Sequence, residues 1–525
     1  VSQRPPVNKW LVTLSVSFGT LMGAIDASIV NVALPHIRGS VGATLEEITW
    51  ISTGFALATV LVMPLTAFLG RQFGQKRVYM ACLALFLLGS ALCGLARSLP
   101  TLVIFRAIQG FGAGALQPTE QAILRQTFPP KEQGMAMALF AMAVMLGPAV
   151  GPTLGGWIVD HYDWPWIFYI NLPIGALGLV MVGAFLQEDE EILEVNRALA
   201  ERQRKNLDWQ GIALLSVGLM TLQYFLEEGS RFDWFDSREM TGMFLVSVFS
   251  LTGFAVRELT APVPAVNIGL FRDKVFLSGT LIGALMFAML MANMFLLPVF
   301  MQDLLGFTAT QSGMALMPRV LAMMVCMPIV GRIYNLVSPR IVIAVGVVFF
   351  AIGAVAMSHF TLATSARNIV GAIAIQGVGF ACLFVPLTTT ALASIPRHLM
   401  ADATGLNSLL RQVGGSIGLA AFATLLARFS VVAKAGVTAH LDPTRPEVTA
   451  RVQQMSAGLI SRGYDAVSAQ ATSLRMLAGS VQRQAMVLAF DRVFLLAGLL
   501  FLLVLPMLLF LKTVRTTEKV DVHLE

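Results

Sequence analysis

Fourteen times along this chain an apolar run of about twenty residues stands between charged or Pro/Gly-rich breaks, the length that carries a helix across a bilayer. The runs are 10–34, 47–69, 78–96, 100–124, 134–158, 166–186, 209–227, 240–257, 275–300, 310–331, 340–360, 368–393, 404–427 and 487–511. Inside lipid only helices and closed barrels satisfy every backbone N–H and C=O. The sequence therefore predicts an all-α polytopic membrane protein. Only 13% of its residues are charged, against about 25% in soluble domains.

An even number of spans returns the C-terminus to the side of the N-terminus. With that side cytoplasmic, 20 Lys and Arg fall in cytoplasmic segments and 5 in short outer loops. This bias predicts an N-in, C-in topology. The net charge of +6 follows from the same bias, and no nucleic-acid partner is expected. The four cysteines lie in apolar runs, with spacing that fits neither a zinc site nor a disulfide framework. There is no G-x-x-x-x-G-K-[ST] loop, so the expected energy source is an ion gradient and the expected cofactor is none.

Two stretches do not span. Residues 187–207 read as a charged, helical cytoplasmic connector. Residues 428–486 read as a long outer loop. Within it Val467, Ala471, Leu474, Ala478 and Val481 recur at helical spacing. That stripe would belong either to a segment lying on the protein or membrane surface, or to a docking face for a partner.

The chain repeats itself at an offset of 267 residues. Ala107-Ile-Gln-Gly-Phe-Gly matches Ala374-Ile-Gln-Gly-Val-Gly, and Gly147, Gly151 and Asp26 meet Gly414, Gly418 and Asn293. The expected division is a six-helix half over residues 1–190, the connector and two inserted helices over 191–264, and a second six-helix half over 265–525. A substrate site would lie between the halves.

The ionisable groups inside the runs are the functional candidates, because such residues usually face a cavity. Asp26 lies nine residues before Pro35 and Arg106 six after Pro100, so about 13 and 10 Å below the outer surface at 1.5 Å per residue. Burial favours a neutral acid and a nearby cation favours the carboxylate. Asp26 thus suits proton binding, cation recognition or a structural hydrogen bond, and Arg106 is its expected partner. Arg106, Gln109, Gln117 and Glu120 fall within about 60° on one helix face, a stripe suited to a wet cavity. Glu120 is read either as an acceptor of cations or protons or as a charge at the helix end. Asn293, Gln376 and Arg411 are the cavity candidates in the second half. Arg319 and Arg411 would face a cavity or pair with carbonyls. Gly147, Pro148, Gly151, Pro152, Gly155 and Gly156 make a bare, proline-weakened stripe, expected to act as a gate.

Together these residues resemble the fourteen-span drug:proton antiporters of the major facilitator superfamily, EmrB/QacA type. The resemblance covers nearly the whole chain. It rests on Gly147-Pro148…Gly151-Pro152…Gly155-Gly156, Phe105–Gly112, Asp26–Pro35, Trp166–Gly175 and Gly405–Gly418. It implies a major-facilitator fold with two parallel halves, and roles in proton coupling for Asp26 and Arg106. The cytoplasmic loop motif, with Gly74, Lys76 and Arg77, departs from the superfamily pattern. Ala67 stands where Gly is usual and Arg71 where Asp is usual. The missing acid leaves positive-inside anchoring by Arg71, Lys76 and Arg77 as the simpler reading. The resemblance also implies multidrug efflux across a bacterial cytoplasmic (inner) membrane. A periplasmic membrane-fusion adaptor and an outer-membrane channel would complete a tripartite pump. An exporter of one endogenous metabolite, siderophore or peptide is the alternative. A membrane receptor or enzyme is disfavoured, since neither a sizeable soluble domain nor a metal-ligand cluster, nucleophile elbow or cofactor loop is evident.

Overall fold

The computed structural model describes residues 8–508, apart from residues 45, 189, 206–207, 262–263, 335, 440 and 442–444. The first part of the chain forms α1 (Lys9–Val41), α2 (Trp50–Val62), α3 (Thr66–Phe73), α4 (Gln75–Leu95), α5 (Leu99–Thr127), α6 (Gln133–His161), α7 (Trp166–Tyr169) and α8 (Asn171–Phe185). The connector is α9 (Glu190–Lys205), and α10 (Trp209–Glu228) and α11 (Arg238–Thr260) follow. The remainder forms α12 (Lys274–Val299), α13 (Ala309–Ile333), α14 (Pro339–Met357), α15 (Ala366–Ala391), α16 (Met400–Ala439), α17 (Pro446–Ile460), α18 (Ala466–Leu502) and α19 (Val504–Met507).

Among the described residues thirteen helical stretches are long and apolar enough to cross a membrane. A fourteenth is α2 and α3 taken together, bent by 57°. Pro64 sits at the break and has no N–H with which to continue the ladder. The run at 47–69 is thus a span with a corner in it. The chain is a multi-pass, all-helical membrane protein.

Packing repeats along with the sequence. In the first part α1 lies on α6, and α2 and α4 lie on α5. In the last part α12 lies on α16, and α13 and α14 lie on α15. Glycine sets these distances, because a bare backbone lets a neighbour approach closely. A Cβ on Gly112 would overlap the α4 backbone at Cys82 and Phe86, and one on Gly379 would overlap the α14 backbone at Gly346 and Phe350. Gly110 meets the carbonyl of Phe55 on α2, and Gly377 that of Arg319 on α13.

The two groups of helices meet along α6 and α13 on one flank, where the Gly134 and Gly331 backbones touch. On the other flank α10 rests on both α2 and α16. Its Gln223 Nε2 donates to Ser416 Oγ at 2.9 Å, and Trp234 Nε1, just beyond it, donates to Thr424 Oγ1 at 3.0 Å. The connector α9 is helical as expected, and turns Asn196, Ala200 and Gln203 inward.

The segment at 428–486 differs from the outer loop expected there. Residues 428–439 continue α16, α17 covers 446–460, and residues 466–486 are the first half of α18. The expected apolar stripe is also rotated. Val467 is 80% and Leu474 51% exposed, and of that stripe only Val481 is buried. The face turned inward carries Ala469, Ser473, Val481 and Ala485 instead. Because α17 packs against α18, small residues are selected for the contact and the bulky ones are turned out.

Gly112→Val should destabilise the fold by about 1–3 kcal/mol or more through overpacking at α4. Gly458→Ala, where a Cβ meets open space, should leave stability unchanged or raise it by up to about 1 kcal/mol. Thermal unfolding of both variants in detergent checks the contrast.

Candidate functional site

Four helices converge on one carboxylate. Asp26 on α1 is fully buried, and Arg106 on α5 is 1% exposed. Arg106 Nη1 donates to Asp26 Oδ2 at 2.5 Å and to Gln109 Oε1 at 2.7 Å. Gln109 Nε2 donates to Asp26 Oδ1 at 2.8 Å, and Asn171 Nδ2 from α8 donates to the same oxygen at 3.1 Å. Ser90 Oγ on α4 accepts from Asn171 at 3.0 Å and donates to the carbonyl of Phe168 at 2.8 Å. Arg106 is further held by Nε donating to the carbonyl of Ile51 at 3.2 Å, with its guanidinium 4.1 Å from the centre of the Phe55 ring. A buried ion pair is tolerable only when its remaining donors and acceptors are met, and removing one partner costs about 3–5 kcal/mol.

The glycine stripe on α6 lets α1 sit deep enough for this. A Cβ on Gly147 would overlap the backbone of Ala24, one on Gly151 the hydroxyl of Ser28, and one on Gly155 the side chain of Ile29. Ser28 Oγ lies 2.9 Å from the carbonyl oxygen of Gly147 and donates to it. Asp26 thus belongs to the stretch of α1 that is pressed against the glycines. The other face of α6 meets α13, where a Cβ on Gly313 would touch Pro152 at 3.6 Å and one on Gly156 would lie 3.8 Å from Thr310. The stripe is therefore a seam with α1 on its glycine side, while Pro152 and Gly156 face α13.

A cavity of about 650 Å³ lies beside the cluster, walled by α1, α2, α5, α10, α12 and α16. Arg106 and Gln117 line it, with Asn31, Ser52, Phe295 and Ser416. Its walls reach Leu34, Thr49 and Ser230, at the helix ends away from the chain termini. Asp26 and Gln109 stand behind Arg106 and do not line it. On the terminal side the helices close together. Gly405 abuts the carbonyl of Met63, and Arg125 Nη2 donates to the carbonyl of Leu392 at 2.6 Å.

Glu120 is fully buried and accepts from Ser17 Oγ at 2.9 Å; its other oxygen has no partner among the described residues. It is a buried group on the α1 side and not a helix-end charge in water. Asn293 and Gln376 form a sparser counterpart of the Asp26 cluster. Gln376 Nε2 lies 3.4 Å from Asn293 Oδ1, and Arg319 Nη2 donates to Gln376 Oε1 at 2.9 Å. Arg411 is enclosed by the rings of Phe384, Phe287 and Phe140 at 5.1, 5.2 and 5.9 Å. None of these five residues lines the cavity.

The loop motif holds a further pair. Arg71 is 9% exposed, and its Nη1 donates to Asp402 Oδ2 at 2.6 Å, from α3 to the first turn of α16. Gln203 Oε1 and the carbonyl of Ala265 accept its other N–H groups at 3.2 and 3.1 Å. Arg71 is thus not a surface anchor. Where the usual acid is missing, the charges are exchanged, and the acid comes from the other group of helices. Gly74 adopts φ +87°, the Lys76 N–H donates to Glu188 at 2.8 Å, and Arg77 is exposed. Sequence reading named neither Asp402 nor the roles of Ser90 and Asn171. An acid opening the run at 404–427, and the Asn171-Leu-Pro173 triplet, were the available signals.

The family model described as Major Facilitator Superfamily matches residues 16–419. The multidrug export protein EmrB of Haemophilus influenzae is 33% identical over 505 residues, 96% of this chain and 95% of that protein. The fatty acid resistance protein FarB of Neisseria gonorrhoeae is 32% identical over 495 residues, 94% of each. Among solved structures the human organic anion transporter MFSD10 gives a TM-score of 0.59 at 16% identity, covering 95% of this chain and 100% of that one. The proton:xylose symporter XylE gives 0.58 at 12%, covering 95% and 96%. These two likenesses concern the fold.

Asp402→Asn leaves Arg71 buried without its anion, at a cost of about 3–5 kcal/mol to this arrangement. Distances between spin labels on α3 and α16 should lengthen in that variant. The exchange Arg71→Asp with Asp402→Arg should restore them at least in part.

Proposed function

The chain belongs to the Major Facilitator Superfamily and, within it, to the fourteen-span EmrB-type group; on that premise we propose that it exports hydrophobic and amphipathic compounds in exchange for protons by alternating access. The observation that carries this reading is the Asp26–Arg106 pair, buried against the wall of a cavity that reaches only one side. The positive-inside bias supports placing the termini in the cytoplasm. The cavity then faces outward, and the Arg71–Asp402 contact belongs to the closed cytoplasmic side.

The cycle follows from charge neutrality. In the outward-facing form Arg106 lies between the cavity and Asp26. A proton arriving from outside neutralises Asp26 and releases Arg106, which cannot itself deprotonate. The freed guanidinium alters the wall on which substrate rests and disfavours its retention. With Asp26 neutral, the halves at 1–190 and 265–525 rock about the α6–α13 and α5–α16 contacts. In the inward-facing form the proton leaves and a new substrate binds. The inward proton gradient drives the cycle. The α6 stripe acts as the gate: its glycines fix α1, and with it Asp26, while Pro152 and Gly156 face the other half. Gln109 and Asn171 keep the carboxylate placed throughout. Gln117 contacts substrate in this state; Glu120, Asn293, Gln376 and Arg411 become accessible when the cytoplasmic side opens.

The relatives' names, multidrug export and fatty acid resistance, support efflux of apolar and amphipathic molecules. The membrane is taken as a bacterial inner membrane. Helix α17 and the adjoining ends of α16 and α18, with Val467 and Leu474 turned out, support docking of a periplasmic membrane-fusion adaptor that leads to an outer-membrane channel.

The test is transport in liposomes across a pH gradient, with lipophilic cations, uncharged dyes and long-chain fatty acids as the panel. Wild-type protein should accumulate several members of the panel, and Asp26→Asn should bind them but lose gradient-driven accumulation. Full transport by Asp26→Asn removes the proton role, and movement of a single compound class favours a dedicated exporter. Gly151→Leu, which overlaps Ser28, should fold and bind but uncouple transport; loss of folding would leave the stripe a packing role alone.

A further inference from the structure

The inserted helices are not needed to build two six-helix groups, yet α10 forms part of the cavity wall. It spans the gap between α2 and α16 and contributes Leu226, Glu227 and Glu228 to the lining. We propose that Glu227 recognises the positive charge of cationic amphiphilic substrates, so that the inserted pair gives the cavity its preference among charges.

Three observations meet at this residue. First, Glu227 is half-buried on the cavity wall and has no cationic partner among the described residues. The neighbouring cations are already engaged. Arg231 is held by Glu46 and Glu228, and Arg106 by Asp26. A half-buried carboxylate without a counter-ion is costly, and such groups ordinarily serve a water-filled path or a ligand. Secondly, its orientation is fixed. Gln223, one turn earlier and 1% exposed, donates from Nε2 to Glu227 Oε1 at 2.7 Å and to Ser416 Oγ at 2.9 Å. The amide is braced against α16, and its Oε1 is a buried acceptor without a partner among the described residues. An unmet acceptor beside an unpaired carboxylate suits a positively charged or N–H-bearing guest. Thirdly, the rest of the wall suits an apolar body. Phe55, Phe295 and Leu419 line it, and at about 650 Å³ the cavity falls within the range of drug-sized sites. Arg106 does not repel such a guest while Asp26 neutralises it.

The inference rests on the reading of this cavity as the export path, and the experiment separates the two. Binding to purified protein is measured without a gradient, using tetraphenylphosphonium as the cation and the uncharged dye phenylnaphthylamine as the control. Transport of both is followed in liposomes. Glu227→Gln keeps the shape and removes the charge. Its tetraphenylphosphonium affinity should fall about ten- to a hundredfold, as for loss of one charge-assisted contact, with dye binding and dye transport retained. Glu227→Asp should recover part of the loss. Gln223→Leu should weaken the cation and spare the dye. Unchanged cation binding in Glu227→Gln, equal loss of both probes, or no cation binding by the wild type each overturns the proposal. Wild-type protein that binds both probes but transports neither refutes the export reading, while the binding comparison still decides the role of Glu227.

Discussion

An arginine and an aspartate placed at the same depth in an apolar layer have to meet, because neither is tolerable there alone. Much of the fold can be seen as the means of arranging that meeting. Arg106 comes down α5 and Asp26 lies on α1, so α1 must approach the helices around α5 closely. The glycines of α6 give α1 its room, and Ser28 ties the two helices through the carbonyl of Gly147. Asn171 and Ser90 then bring α8 and α4 to the same point. One buried charge pair thus fixes the relative placement of α1, α4, α5 and α8.

The second group of helices keeps the scaffold of this arrangement and drops its charge. Asn293 stands where Asp26 would, Gln376 stands where Gln109 would, and Arg319 approaches from α13. The glycine contacts are kept, with Gly414 on Ala284 and Gly418 on Ala288. The prolines are not: Gly415 and Leu419 stand where Pro148 and Pro152 would. Packing between helices is thus duplicated, while the carboxylate at this position is confined to one group.

What the sequence discloses divides along physical lines. Span positions follow from hydropathy, which acts along the chain, so all fourteen runs correspond to helices. The adjacency of Asp26 and Arg106 follows from depth, since two numbers counted from the helix ends suffice. Contacts that depend on how helices are turned about their axes are not available in this way. Arg71 looks like one more basic residue beside Lys76 and Arg77 until Asp402, 331 positions later, is brought to it. Glu227 looks like a helix-end charge until α10 is seen to face the cavity. The segment expected as an outer loop differs for another reason. A helix leaving the membrane loses its apolar character without ceasing to be a helix, and hydropathy reports only the first change.

That last point gives α16 a mechanical character. It is an unbroken helix of 40 residues, or about 60 Å, roughly twice the hydrocarbon thickness of a bilayer. One end begins at Asp402, locked to Arg71; the middle carries Ser416 on the cavity; the remaining length to Ala439 is more than a bilayer can enclose. A rod of this kind works as a lever. In such a rod any angular displacement at the locked end is enlarged at the tip, so that the tip reports on a cavity it does not line.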